Sequence, residues 1–195
     1  MTPENKKQSL VSSPTDNEIM LQVRDGDVAK LAILFERYHG KLFNFLVRVT
    51  DRRDVSEDLV QEVFFRVLKY KHTFRGDAPF TAWMYQMGRN AAADYFRKWK
   101  EDPAPHETME AHEAPDATAS DMLEHMEQNS LLHLALSRLP LEKREVLVLS
   151  RFQGMKYEEI STILNCPVGT VKARVHFALK ELREIYLNLS EEAVL

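Results

Sequence analysis

The feature that most restricts the fold of this chain is the spacing of its apolar residues, which recur three and four positions apart. This spacing places apolar side chains on one face of an α-helix, whereas a half-buried strand needs strict alternation. The chain has only 6 glycines and no long alternating segment, so the sequence predicts an all-α protein. The clearest apolar face comprises Leu31, Leu34, Phe35, Tyr38, Leu42, Phe45, Leu46 and Val49.

Charge divides the chain into blocks that the formal net charge of −4 conceals. Residues 1–100 hold 17 basic and 13 acidic side chains, residues 101–130 hold 9 acids and no Lys or Arg, and residues 131–187 hold 9 basic and 6 acidic ones. The acidic stretch contains prolines and no aromatic residue, which is typical of a flexible linker. The sequence therefore predicts two small helical domains, at 16–100 and 120–187, joined by an acidic flexible linker at 101–119, with a disordered tail at 1–15 and a short tail at 188–195.

Turn and capping residues predict where the helices begin and end. Asp27 is expected to cap the helix that follows it, and Asp54 with Glu57 has the spacing of a capping box. Later helices are predicted at about Phe80–Lys100 after a Gly- and Pro-containing loop, from near Ser120, from Pro140 to Gly154, at Lys156–Leu164 and at Val168–Leu187. The apolar residues expected in the core include Trp83, Trp99, Leu123, Met126, Leu134 and Leu179.

Composition excludes several classes of protein. The single cysteine, Cys166, rules out an intramolecular disulfide and a multi-cysteine metal site. No apolar run approaches the ~20 residues of a membrane span, and the N-terminus lacks the apolar segment of a signal peptide. We therefore expect a cytoplasmic protein with no membrane insertion of its own.

The last two predicted helices form a helix-turn-helix pattern around the turn Asn165–Pro167. In this motif the N-terminal residues of the second helix lie in the major groove of DNA, where Lys172 and Arg174 would reach phosphates or guanine edges. An amphipathic helix with a solvated basic face would show the same periodicity. The predicted DNA contacts are Thr170, Lys172, Ala173, Arg174, His176, Phe177 and Lys180.

Longer motifs resemble a known family. The last block resembles region 4 of bacterial sigma factors at Tyr157–Arg174, after Leu139–Pro140 and Arg144–Leu149. The first block independently resembles region 2 at Asp58–Phe64 and at Phe74–Trp83, with Arg89, Asn90 and Asp94. The layout without a region 3 is similar to the extracytoplasmic-function (ECF) group of the sigma-70 superfamily.

This resemblance implies a sigma factor that binds core RNA polymerase, directs promoter-specific transcription initiation and is not an enzyme. It implies no catalytic residue, metal or other cofactor, and an anti-sigma factor as a further partner. Region 4 would bind the minus-35 promoter element, and region 2 would bind and help to melt the minus-10 element through Phe74, Arg75, Asp77, Tyr85, Gln86, Arg89, Asn90 and Arg97. The expected polymerase contacts are Asp58, Gln61, Glu62 and Phe64.

Several alternatives remain open on the sequence. A helix-turn-helix regulator that never joins polymerase would not need Asp58–Phe64, and an interaction module without promoter activity would fit Phe177 and Leu179, which stand where close relatives usually have Arg. A di-metal helical enzyme would need paired Glu-x-x-His motifs, and the chain has one, at Glu36–His39. The acidic linker would either mimic nucleic-acid charge inside polymerase or provide solubility and reach.

Overall fold

The structure is a computed structural model that describes residues 13–101 and 130–192. The regular elements of these residues are all helical, which confirms the predicted fold class. The helices are α1 (Asp16–Arg24), α2 (Leu31–Thr50), α3 (Arg53–Lys69), α4 (Phe80–Glu101), α5 (130–138), α6 (Leu141–Leu147), α7 (Tyr157–Leu164) and α8 (Val168–Glu192). Short 3-10 turns lie at Val28–Lys30 and Lys71–Thr73, and α6 continues as a π-helical turn at Val148–Phe152.

Helices α1–α4 form the N-terminal unit, in which α2, α3 and α4 each bury one apolar face against the others. One close approach is at Gly88 on α4, where a Cβ would lie 3.0 Å from Leu42 Cδ1 on α2. A side chain at this position would require Leu42 to shift by a few tenths of an ångström. Helix α1 completes the unit with its buried residues Ile19, Met20 and Val23.

Helices α5–α8 form the C-terminal unit, with α6 and α7 packed on α8. The two units also contact each other, because α2 and α4 pack against α6, α7 and the π-helical turn. Their buried apolar residues form one continuous cluster. We call this packing of the two units the closed arrangement. Within the described ranges, no helix is both long and apolar enough to cross a membrane.

Two of the predicted helix caps are wrong. Asp27 precedes the 3-10 turn, and its side chain makes no capping hydrogen bond. Asp54 lies inside α3 and pairs with Arg52 at 2.6 Å, so no capping box forms there. The capping box is instead at the start of α1, where the Thr15 hydroxyl accepts from the Glu18 backbone N–H and the Glu18 carboxylate accepts from the Thr15 N–H.

Helical periodicity also predicted more buried residues than the packing provides. Trp99, Leu134 and Leu179 are exposed, whereas Trp83 is partly buried against the core. Trp99 is exposed because the end of α4, after Phe96, extends beyond the bundle, whereas Phe96 itself still packs against the core. An amphipathic pattern predicts burial for every apolar residue on one side of a helix. A neighbouring helix covers only the centre of that side, so residues at its edges or at the helix ends stay exposed.

Some boundaries differ from the sequence predictions. Helix α8 runs to Glu192 and buries Leu189, so residues 188–192 are helical instead of a tail. The predicted helix start near Ser120, the core residues Leu123 and Met126, the acidic linker and most of the N-terminal tail lie outside the described residues.

The two helical glycines of the N-terminal unit provide a matched test of this packing. Gly88→Ala should destabilise the protein by about 1 kcal/mol, because overpacking against Leu42 outweighs the gain in helix propensity. Gly40→Ala should stabilise it by up to ~1 kcal/mol, because nothing lies within 4 Å of the added Cβ. Urea denaturation measures both changes, and equal effects at the two positions would contradict the close helix crossing.

Candidate nucleic-acid interface

The turn between α7 and α8 fixes the direction of the second helix. Asn165 ends α7 in the left-handed conformation, with φ of 49°. The backbone N–H of Cys166 donates to the Ser161 carbonyl at 3.1 Å, and the Ser161 hydroxyl donates to the Cys166 carbonyl at 2.7 Å. Val171 and Val175 then bury the inner face of α8. Together α7, this turn and α8 have the layout of a helix-turn-helix.

The outward face of α8 brings together all the residues predicted to contact minus-35 DNA. Two of them, Thr170 and Arg174, are half-buried. Arg174 Nη2 lies 3.6 Å from Glu142 Oε2, an exposed contact that is worth at most about 1 kcal/mol and is easily exchanged for a phosphate. The exposed members of this face are Lys172, Ala173, His176, Phe177 and Lys180.

The loop before α4 is anchored by a residue that the sequence did not indicate. Asn17 Nδ2 donates to the carbonyls of Gly76 and Ala78 at 3.3 and 3.0 Å, and the backbone N–H of Phe80 donates to Asn17 Oδ1 at 2.7 Å. Asn17 thus fixes the loop and satisfies an orphan N–H at the start of α4. These partners are 59–63 positions apart, so no local pattern reveals them.

The residues predicted to contact minus-10 DNA fall into two groups. Arg75, Asp77, Asn90 and Arg97 are exposed, on the loop and on α4. Gln86 and Arg89 are partly exposed, and the two aromatic residues, Phe74 and Tyr85, are buried. Phe74 packs against the rings of Phe80 and Trp83 in the core of the N-terminal unit. In the closed arrangement neither Phe74 nor Tyr85 is free to stack on a base.

The C-terminal unit covers part of this surface. Tyr85 is only 3% exposed, and its hydroxyl donates to Gln153 Oε1 at 2.7 Å. Burial raises the pKa of the Tyr85 phenol above its ordinary value. The ring of Phe152 lies under the guanidinium of Arg48, 4.7 Å from the ring centroid. Tyr85 and Arg48 of the N-terminal unit are therefore held by neighbouring residues of the other unit.

A buried carboxylate completes the contact. Glu145 on α6 pairs with Arg89 on α4 at 3.0 Å, and its side chain is 3% exposed. Burial raises the pKa of the Glu145 carboxyl, and the nearby Arg89 partly opposes this shift. A carboxylate removed from water needs such a partner, so Arg89 is committed to Glu145 while the units stay together.

Arg144, the preceding residue, is buried at the same junction. Its guanidinium donates to the Val49 carbonyl at 2.7 Å, to the Leu139 carbonyl at 3.1 Å and to the Ser137 carbonyl. Burial lowers the pKa of Arg144 below its ordinary value. Arg144 Nε has no hydrogen-bond partner.

The predicted polymerase surface on α3 is partly exposed. Asp58 and Gln61 face outward and Glu62 is half-buried, with its carboxylate 2.7 Å from Arg66 Nε. Phe64 is 7% exposed and packs against Phe35, so it points into the unit. The next residue, Phe65, is 60% exposed and was missed, because a rotation of about 100° along the helix separates it from the apolar face. The described residues contain no group of three or more His, Cys, Asp or Glu side chains that could hold a metal ion.

Comparison with known proteins places this fold in one family. The sigma-70 region 2 family model matches residues 34–101, and the sigma-70 region 4 model matches residues 130–182. The ECF RNA polymerase sigma-E factor of Haemophilus influenzae is 31% identical over 180 residues, covering 87% of this chain and 94% of that protein. The RNA polymerase sigma-H factor of Pseudomonas aeruginosa is 26% identical over 194 residues, covering 94% and 100%.

A solved structure shows the same fold. In the complex of the sigma factor RpoE with the anti-sigma factor NepR from Bartonella quintana, the sigma chain matches with a TM-score of 0.66 at 24% identity. The match covers 79% of this chain and 94% of that one.

The chain is therefore a transcription initiation factor of the sigma-70 class. It belongs to the ECF group of RNA polymerase sigma factors. As a member of that family it binds core RNA polymerase and directs promoter-specific initiation, and it is not an enzyme. The family prediction made from the sequence is confirmed.

The loop anchor gives a test of how the minus-10 surface is positioned. Asn17→Ala removes three hydrogen bonds to the loop and to α4, so the amides of residues 75–80 should exchange faster with solvent. Loss of the bonds should also destabilise the unit by about 1–3 kcal/mol. Hydrogen exchange with mass spectrometry measures the first effect. The matched control is Asn44→Ala, which changes an exposed asparagine on α2. Unchanged protection of the loop would show that Asn17 does not hold it.

Proposed function

We propose that this sigma factor acts in the cytoplasm, reading the minus-35 element with the outward face of α8 and the minus-10 element with the anchored loop and α4. The observation that carries the first half is the exposure of that face, because it lies outside the contact between the units and already points away from the core. The minus-35 contacts of this proposal are Thr170, Lys172, Ala173, Arg174, His176, Phe177 and Lys180.

The second half of the proposal requires the units to separate. Arg75, Asp77, Asn90 and Arg97 are accessible to minus-10 DNA in the closed arrangement. The covered part of this surface becomes fully available only when α6 and the segment after it leave α4. Glu145 on α6 holds Arg89, and Gln153, just after the π-helical turn, holds Tyr85, which is next to Gln86. Unstacking a base costs a few kcal/mol of free energy, and stacking that base on an aromatic ring offsets ~1–3 kcal/mol of it. Phe74 supports this surface from below, as part of the core.

Polymerase contact is proposed for the outward face of α3. Asp58, Gln61 and Glu62 supply polar groups there, and Phe65 adds a large exposed apolar side chain at the same surface. An apolar residue surrounded by polar ones is typical of a protein interface. Phe64 contributes by fixing α3 on α2 from inside rather than by touching polymerase.

An anti-sigma factor is part of the same proposal. The solved RpoE structure with this fold is a complex with an anti-sigma factor. A protein that stabilised the closed arrangement would keep Tyr85 and Arg89 away from DNA, which is a direct physical route to inhibition.

The minus-35 assignment is tested by removing cations from α8. Lys172→Ala and Arg174→Ala should each weaken promoter binding by the holoenzyme by about 10-fold, as expected for a lost base or phosphate contact of ~1–3 kcal/mol. Run-off transcription with core polymerase on a genomic library first identifies a responsive promoter, and binding to it is then measured. Arg183→Ala, on the same helix beyond the proposed contacts, is the control. Unchanged promoter binding by both variants would refute the assignment.

Separation of the units is tested at Phe152. Phe152→Ala removes a cation–π contact across the closed arrangement worth about 1 kcal/mol, so the free protein should expand and bind single-stranded minus-10 DNA about fivefold more tightly. Small-angle X-ray scattering gives the radius of gyration, and fluorescence anisotropy gives the affinity. Tyr70→Ala, which loses a comparable contact with Lys69 inside the N-terminal unit, is the control. If the two variants behave alike, the closed arrangement does not limit DNA access.

A further inference from the structure

Phe177 is the most exposed large apolar side chain of the C-terminal unit among the described residues. It is 59% exposed, and it lies on the outward face of α8, one turn after Ala173 and one turn before Lys180. Single exposed apolar residues are common on protein surfaces. This one, however, stands in the middle of the face that carries the proposed minus-35 contacts.

The packing of α8 shows that Phe177 is not a displaced core residue. The inner face of the helix is formed by Val171, Val175 and Ala178, all of which are buried. Phe177 lies about 200° around the helix from Val175, on the side away from this core. Its ring touches the edge of the His176 ring, at 5.5 Å between centroids, and this neighbour is itself exposed.

The surroundings of Phe177 suit an apolar group rather than a phosphate. A shallow groove of about 460 Å³ lies between α6 and α8, with Phe177 and Ala173 in its wall. Two carboxylates of the groove are paired with cations, Glu142 with Arg174 and Glu181 with Lys143. The groove is also lined by Lys180 and Glu184, so its three cations are balanced by three carboxylates and the groove as a whole carries no net positive charge.

We propose that Phe177 determines part of the promoter specificity by contacting the 5-methyl group of a thymine in the minus-35 element. The proposal rests on the proposed function, in which this face of α8 enters the major groove. Thymine is the only base that presents a methyl group there, and apolar side chains, including Phe, are its complement. Ala173, one turn earlier, is small enough to let the helix backbone approach the bases, and Lys180, one turn later, reaches the phosphates.

The test removes the methyl group without changing base pairing. In the promoter identified by run-off transcription, each thymine of the minus-35 element is replaced singly by deoxyuridine, and holoenzyme binding is measured. At one position the wild-type protein should bind about fourfold more weakly, the loss expected for one buried methyl group. Phe177→Ala should bind the thymine promoter more weakly but show no further loss at that uracil. Phe177→Leu, which keeps an apolar group, should retain part of the discrimination.

Leu179→Ala provides the matched control. Leu179 is also exposed, at 37%, but it lies about 200° around α8 from Phe177, so its removal should leave the uracil effect intact. Any of three outcomes would overturn the proposal. Wild-type binding is unchanged at every uracil, the minus-35 element contains no thymine, or Phe177→Ala loses as much affinity at the uracil as the wild type does. Lys172→Ala and Arg174→Ala test whether this face of α8 binds the groove at all. If these two variants lose promoter binding but no uracil substitution weakens wild-type binding, the role of Phe177 is rejected and the proposed function is kept.

Discussion

The arrangement of this molecule depends on the buried guanidinium of Arg144. Carbonyl groups at the C-terminal ends of helices lack intrahelical partners and carry partial negative charge. Three such carbonyls, at Val49 on α2 and at Ser137 and Leu139 at the end of α5, meet at this one cation. Arginine suits the position because its planar group donates several hydrogen bonds in fixed directions. The adjacent Glu145 binds Arg89 on α4, so two consecutive residues of α6 join both units.

This junction divides the proposed DNA surface into an open and a covered part. The outward face of α8 is exposed while α6 is in place, whereas Tyr85 is buried beneath the C-terminal unit and the partly exposed Arg89 is paired with Glu145. At the edge of the shared apolar core, Tyr85 and Arg89 are held by a hydrogen bond and an ion pair, and each such contact is individually modest. A larger interaction, such as docking on polymerase, can therefore exchange them. In the closed arrangement the proposed minus-35 surface is therefore accessible, whereas part of the proposed minus-10 surface is covered.

Local sequence rules succeeded where the relevant partners are close in the chain. The helices, the turn at Asn165 and the grouping of Lys172, His176 and Lys180 on one face follow from spacings of three and four residues. The rules failed at Asp27 and Asp54 because a capping residue must itself be extended and lie just before the helix. Asp27 is not extended, and Asp54 lies inside α3. The polymerase contact at Phe64 was implied by the family resemblance and not by the helical spacing. The structure buries Phe64 and exposes Phe65, one step further around the helix.

By itself the sequence determined the all-α class, the two units in order, the helix-turn-helix and, through its motifs, the sigma factor family. These follow from periodicity and from short contiguous motifs, whose information is local. Only the tertiary structure decided that Tyr85 is covered and Arg89 paired, that Asn17 anchors the loop and that Arg144 joins two helix ends. Each of these contacts links residues about 56–95 positions apart, and such pairings depend on how helices pack, which no local pattern encodes.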